Sequence, residues 1–285
     1  MHNPVLFELM APAPGQVCTL TTHATLRLGS FITETATRLR VRKTLRDTTR
    51  AGGYLFTVET LARLQTPEPA GTARLTAELA PLLETLVVET DVTGRLVRVT
   101  NKAQLREQWA DLFPQLQAKY RRDPDIPPAL LAQLGQVLDG DDTLETVLAR
   151  SPEYGLLFPP FYGQAFSPDV PVPGTAVLAR FVGEIDLPLR TEALLESANT
   201  TSSTAGTVRV AGEVDEAHYP ADEARRSLCA LTDQPNLDTH PVALHSETYT
   251  FGRGHELLEA TRHTRGEVPG VMSRQLTVLF HTRDQ

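Results

Sequence analysis

The densest cluster of chemically capable side chains is Asp215, Glu216, His218, Asp222 and Glu223. A histidine within hydrogen-bond reach of a carboxylate can act as general acid or base, and grouped carboxylates can hold a hard cation. Against both stands a simpler account: a solvated loop, interrupted by Pro220, whose acids favour the N-terminus of the helix that follows. Asp139, Asp141, Asp142 and Glu145 share only the composition of a calcium loop, and helix capping accounts for them. His240 with His245, and His255 with His263, lack zinc-ligand spacing on a helix; on a strand the first pair faces opposite ways. The sequence holds no P-loop, Gly-x-Gly-x-x-Gly, Gly-x-Ser-x-Gly or His-Glu-x-x-His motif. No catalytic residue, metal ligand or cofactor is therefore assigned, and a non-enzymatic role is expected.

Two other patterns carry recognition rather than reaction chemistry. Arg38, Arg40 and Arg42 share one strand face, with Lys43 and Arg46 nearby, a cationic stripe able to meet an acidic partner. Charged faces of this kind also discourage edge pairing. Leu105, Trp109, Leu112, Phe113, Leu116 and Tyr120 recur at helical spacing. Segment 151–174 then crowds Tyr154, Phe158, Phe161, Tyr162 and Phe166 among Pro152, Pro159, Pro160 and Gly163. Prolines oppose regular structure there, so the aromatics are expected to plug a neighbouring surface from a loop. A helix stripe beside an aromatic lid suggests an apolar groove. Its ligand-binding candidates are Leu105, Trp109, Leu112, Phe113, Phe158, Phe161 and Tyr162.

The elements that must position these residues begin with strands. In 17–28, Cys18, Leu20, Ala24, Leu26 and Leu28 alternate with Thr19, Thr21, His23, Thr25 and Arg27, which predicts a strand with one buried face. The same reading puts Phe31, Leu39, Val41 and Leu45 on one side of 31–45. It puts Tyr54, Phe56, Val58, Ala62 and Leu64 on one side of 54–64. A short helix over 73–80 ends at Pro81, and 85–90 with 95–100 form a hairpin turning at 91–94. Asn101 with Gln104 predicts a capping box on a helix that Pro114 kinks or breaks near Leu112. Helices follow from Pro127–Pro128 to Gly140 and from Asp142, with Glu145 closing a second capping box, to about Arg150. Further strands are expected over 177–187, 206–214, 242–251, 256–263 and 271–282, with a mobile turn at 192–205 and a helix over 222–231. Glu89-Thr90-…-Gly94-Arg95 and Glu247-Thr248-…-Gly252-Arg253 echo one another at matching spacing, each on the rising strand and turn of a hairpin.

At 285 residues, 41% hydrophobic and 22% charged, the composition is that of a soluble globular protein able to bury a large core without staples. A net charge of −8 argues against a general phosphate-backbone binder, so no nucleic-acid partner is expected. Cys18 and Cys229 are too few for a disulfide framework or a structural zinc site; they read as two buried thiols, a single bridge being the alternative. No apolar run is long enough for a transmembrane segment. Residues 1–14 lack a cationic start followed by an apolar stretch. The expected location is cytoplasmic as the sequence stands, or periplasmic or envelope if an export signal has been removed.

The run Leu82-Leu83-Glu84-Thr85-Leu86-Val87-Val88-Glu89-Thr90-Asp91-Val92-Thr93-Gly94-Arg95-Leu96-Val97-Arg98-Val99-Thr100-Asn101, followed by Leu105 and Trp109, sets a hairpin directly before a helix. With the late hairpin of 249–264, this order resembles a family of uncharacterised bacterial envelope lipoproteins whose fold is similar to the lipoprotein-carrier and lipoprotein-insertion half-barrels. The resemblance implies a sheet wrapped around helices, leaving an apolar groove for acyl chains or a hydrophobic peptide. The expected fold is α+β and a single domain, 1–285: N-terminal strands in 1–100, a helical insert in 101–150 and C-terminal strands in 151–285. Its long-stranded curved antiparallel sheet or half-barrel should carry the helices on its concave face. The expected function is binding or carrying a hydrophobic ligand; the alternative is a protein-interaction or assembly module without a small-molecule site.

Overall fold

A computed structural model describes residues 4–9, 15–197, 204–234 and 237–282. The chain opens with β1 (Val5–Leu6), β2 (Gln16–Leu28), β3 (Phe31–Thr48) and β4 (Tyr54–Thr66). Helix α1 (Thr72–Glu78) and a 3-10 turn (Ala80–Leu83) lead into the hairpin β5 (Thr85–Thr90) and β6 (Leu96–Val99). Four helices follow: α2 (Lys102–Lys119), α3 (Pro128–Asp139), α4 (Thr143–Arg150) and α5 (Pro152–Leu157). The remainder is β7 (Ala165–Phe166), β8 (Val172–Val182), β9 (Ile185–Ser197), β10 (Thr204–Val214), α6 (Ala221–Thr232), β11 (Val242–Gly252), β12 (Leu257–Val268) and β13 (Met272–Thr282). Strands β6-β5-β4-β3-β2-β13-β12-β11-β10-β9-β8 form one sheet in that order, and β1 pairs with β7. The β-rich, antiparallel architecture expected from the alternating pattern is what the chain adopts.

The fold divides into two compact units, each discontinuous in sequence. One contains 4–9, Leu20–Ala36 and Gly163–Thr282. Its strands pair in meander order, and because side chains alternate along each strand, register sets up rows across the sheet. Thr191, Gly212, His245 and Thr264 make one row; Ala193, Val210, Glu247, Arg262 and Val278 make the next; Leu195, Val208, Tyr249, Ala260 and Phe280 make the third. Beyond the first row lies an apolar cluster of Leu178, Phe181, Leu187 and Val268, closed by Ala224 and Leu228 of α6. Beyond the third, Phe7 packs on Phe251 and Phe166 at ring-centroid distances of 4.4 and 5.9 Å. A polar layer is thus enclosed between two apolar ones.

The other unit contains 15–19 and Thr37–Tyr162. Its helices build a core of their own, Leu75 of α1, Leu116 and Tyr120 at the end of α2, Ile126, and Leu131 of α3, with Trp109, Leu112 and Phe113 packed against them. Helix α4 is joined to β6: Glu145 accepts the Val99 N–H at 2.8 Å and pairs with Lys102 at 2.7 Å. Gly94 turns the β5–β6 hairpin at φ +90°, and the Tyr162 ring lies where a Cβ would be, 2.5 Å away, so only glycine meets both demands.

Several local expectations are corrected. Asn101 makes no side-chain cap; its amide instead bridges back to β5, accepting from Val87 N–H and donating to the Thr85 carbonyl. Glu145 likewise leaves its capping box for strand β6. Helix α2 runs through Pro114 without breaking. Both Pro114 and Ala110 are on the exposed side, where water can take the carbonyl the proline leaves unbonded. Segment 151–174 is not wholly irregular, because Pro152 occupies the first turn of α5, where its missing N–H costs nothing. The strand expected over 177–187 is a hairpin, β8 and β9 turning at Gly183, and β9 carries 192–197 out of the expected turn; 198–203 lie outside the described residues. Phe31 and Leu64, placed on buried faces by alternation, are 62% and 66% exposed. Both stand at the ends of long strands, beyond their apolar cover.

Candidate functional site

Where α2 ends and α3 begins, a cleft of about 360 Å³ opens among Pro114, Gln117, Ala118, Tyr120, Arg121, Ile126, Pro128 and Leu131. Its floor is buried: Tyr120, Ile126 and Leu131 are almost wholly inaccessible. Its rim is Pro114, Gln117, Ala118, Arg121 and Pro128, all exposed. The local sequence explains the opening. Pro114 and Pro128 present rings instead of flexible chains, and the 120–127 turn swings α3 back against α2. Charges beside the cleft satisfy one another. Glu78 accepts from Lys119 and from the Tyr120 hydroxyl, each at 2.6 Å, and Arg74 pairs with Asp123 while lying over the Tyr120 ring. Burial raises the Glu78 carboxyl, but those two hydrogen bonds outweigh it and hold the group below its ordinary value.

The seven sequence-predicted ligand residues divide into two sets with different neighbours. Leu105 is buried in α2; Trp109 stacks at 5.4 Å on Phe113, and its Nε1 approaches Gly135 so closely that a Cβ there would lie 2.9 Å away. Trp109, Phe113 and Leu112 pack against the helical core. Phe158, Phe161 and Tyr162 are buried. Phe158 packs edge-on against Phe56 of β4 at 5.5 Å, and Tyr162 against Tyr54 at 5.8 Å. Tyr120, Ile126, Arg121 and Leu131, which line the cleft, were not singled out as a site; the pair Pro127–Pro128 after an isolated Ile126 was the available signal.

The Phe158 group holds a cation that parity could have found. Lys43 is in phase with Leu39 and Val41, the buried side of β3, not with the arginine stripe. It is half-buried, its ammonium 4.4 Å from the Phe56 ring centre and 4.5 Å from that of Phe158, and it donates to the Leu157 carbonyl at the end of α5. A cation there also suits the helix C-terminus. Burial pushes Lys43 down to about 8, partly opposed by Cys18, whose own thiol burial pushes up to about 11. Both cysteines are free thiols; Cys18 is buried and Cys229 partly so. In the stripe itself, Arg38 is exposed, Arg40 has a buried Nε without a hydrogen-bond partner, and Arg42 pairs with Glu59 at 3.0 Å.

A second buried charge system, also unmarked by motif, forms the polar layer of β11 and β12. Arg262 Nε donates to Glu247 Oε1 at 2.5 Å and the Tyr249 hydroxyl to Glu247 Oε2 at 2.5 Å. His245 bonds Thr264 through Nδ1 at 2.8 Å and brings Nε2 to 3.2 Å from Glu247. Gly212 makes room for that imidazole, since a Cβ would meet it at 3.0 Å. Burial alone would raise the Glu247 carboxyl; Arg262, then His245 and Tyr249, overcome it and hold the group at about 2.

The acid–base candidate is assembled but open. His218 Nδ1 lies 2.8 Å from Asp215 Oδ2, with 76% of its side chain exposed, so nothing there excludes water from a reacting group. Among the described residues, no three His, Cys, Asp or Glu side chains could hold a metal ion, and no helix is long and apolar enough to cross a membrane. No known family profile matches the chain, and no curated protein matches it.

Proposed function

We propose that this chain binds or carries a hydrophobic molecule, without chemistry, and that its helical layer provides the site. The observation supporting this reading is the cleft between α2 and α3, where the exposed Pro114, Ala118 and Pro128 offer apolar surface to a guest above the buried Tyr120, Ile126 and Leu131. A volume of about 360 Å³ suits a small ligand. The envelope-lipoprotein resemblance points the same way, and the half-barrel with helices on its concave face belongs to this proposal. The predicted stripe Leu105, Trp109, Leu112 and Phe113 then serves as the packed wall behind the cleft.

Trp109 is the only tryptophan, and it sits in the same helical core, so its emission reports on this layer. The test pairs native mass spectrometry and solvent extraction of the purified chain with a titration of Trp109 fluorescence by alkyl ligands. A co-purifying apolar species and a saturable spectral change are expected. An empty protein whose emission ignores such ligands up to millimolar concentration overturns the reading, and leaves the interaction-module alternative to be sought through partners of the Arg38, Arg40 and Arg42 face.

A further inference from the structure

We propose that the α2–α3 cleft takes a single-chain alkyl monocarboxylate, with Arg121 holding its head; this rests on the hydrophobic-ligand reading and specifies its ligand. Two nearby cations are already engaged, Lys119 by Glu78 and Arg74 by Asp123, and Arg122 lies outside the cleft lining. Arg121 is the charged residue in the cleft lining, and among the described residues it makes no ion pair or hydrogen bond. Arg121 is exposed and lines the cleft, so its donors are available to a head group there.

Charge and size select the guest. A planar fork matches a carboxylate with two parallel hydrogen bonds. A dianionic phosphate head would call for a second cation, and Arg121 is the single charged residue that lines the cleft. A cleft of about 360 Å³ lies at the small end of ligand sites, which admits one alkyl chain and excludes a two-chain lipid. Affinity should then rise with chain length, about fourfold for each methylene that leaves water, until the cleft is full.

The test is calorimetric or NMR titration of the whole chain with hexanoate, octanoate and decanoate, and with octanol as the neutral match. Octanoate should bind more tightly than octanol. Arg121→Gln should weaken octanoate about tenfold, the scale of a charged hydrogen bond, while leaving octanol unchanged. Arg122→Gln, altering a neighbouring cation outside the lining, should change neither. Ala118→Phe, at an exposed rim position that tolerates bulk, should block both ligands. Equal binding of octanol and octanoate, both blocked by Ala118→Phe and neither altered by Arg121→Gln, overturns the carboxylate assignment and keeps the hydrophobic site. Binding that ignores Ala118→Phe, or that falls equally in both arginine variants, also overturns it. No binding of any of the four defeats both readings.

Discussion

Two hairpins of this protein carry the same ion pair and use it in opposite ways. In β5–β6, Glu89 stands directly across from Arg98; in β11–β12, Glu247 stands directly across from Arg262. The glutamates are the first residues of the echoed Glu-Thr segments. Glu89 alternates with the buried Leu86, Val88 and Thr90, and its side chain is 19% exposed against 63% for Arg98; Glu247 is 7% exposed against 19% for Arg262. In water such a pair gains little, because solvent screens it and two flexible chains must be ordered. In the interior each charge has lost its hydration, so each depends on the other, on the Tyr249 hydrogen bond and on the nearby His245 imidazole. Identical chemistry at matching hairpin positions thus gives a dispensable contact in one place and an obligatory one in the other.

The largest effect should come from breaking the inner pair on one side. Arg262→Met strands the Glu247 carboxylate, and a loss of about 3–5 kcal/mol is expected in urea unfolding. Replacing both partners with methionine should recover most of that loss. A single variant that costs under about 1 kcal/mol would erase the distinction between the hairpins.

Acid sharpens it next. Glu247 is held at about 2 against an ordinary 4.5, so its contribution is complete above pH 4.5 and is lost as pH falls through 4.5 toward 2. Glu247→Gln should flatten that part of the stability–pH curve, whereas Glu89→Gln should leave it intact.

Lys43 supplies the reverse case, an inward cation without a carboxylate. Its folded value near 8, below the ordinary 10.5, means the folded state prefers the neutral amine. The Lys43 contribution should rise as pH climbs from 8 to 10.5, against the opposite slope of Cys18, whose thiol near 11 lowers stability above pH 9. The stability of the wild-type chain minus that of Lys43→Met should therefore rise across the window. The two aromatic rings and the Leu157 carbonyl offset part of the desolvation of this ammonium. A difference between the wild-type and Lys43→Met curves that is flat or falling across this window contradicts the inward-amine assignment.

The smallest effect belongs to the outer hairpin. Arg98→Ala should cost less than about 1 kcal/mol, and the cost should fade in 1 M salt. A larger, salt-resistant loss would mean that the pair is not solvated through Arg98, the exposed member.

Residue order alone was enough to place most elements. Strict alternation delimits β2, β3 and β4, Gly29 and Gly94 mark turns, and Pro128 and Gly140 bracket α3, because these signals depend on neighbours within a few positions. The same locality explains the failures. Asn101 and Glu145 fit capping boxes, yet their side chains bond to β5 and β6, partners 14 and 46 positions away that a local pattern does not contain. Parity could show that Lys43 and Glu247 point toward buried faces; it could not show that two aromatic rings and an arginine would meet them there. Only the packing of α2 against α3 decided that Arg121 would line a cleft with Ile126 and Leu131. Helix and strand periods follow from backbone geometry, whereas the worth of a charge is set by which distant groups replace its lost water.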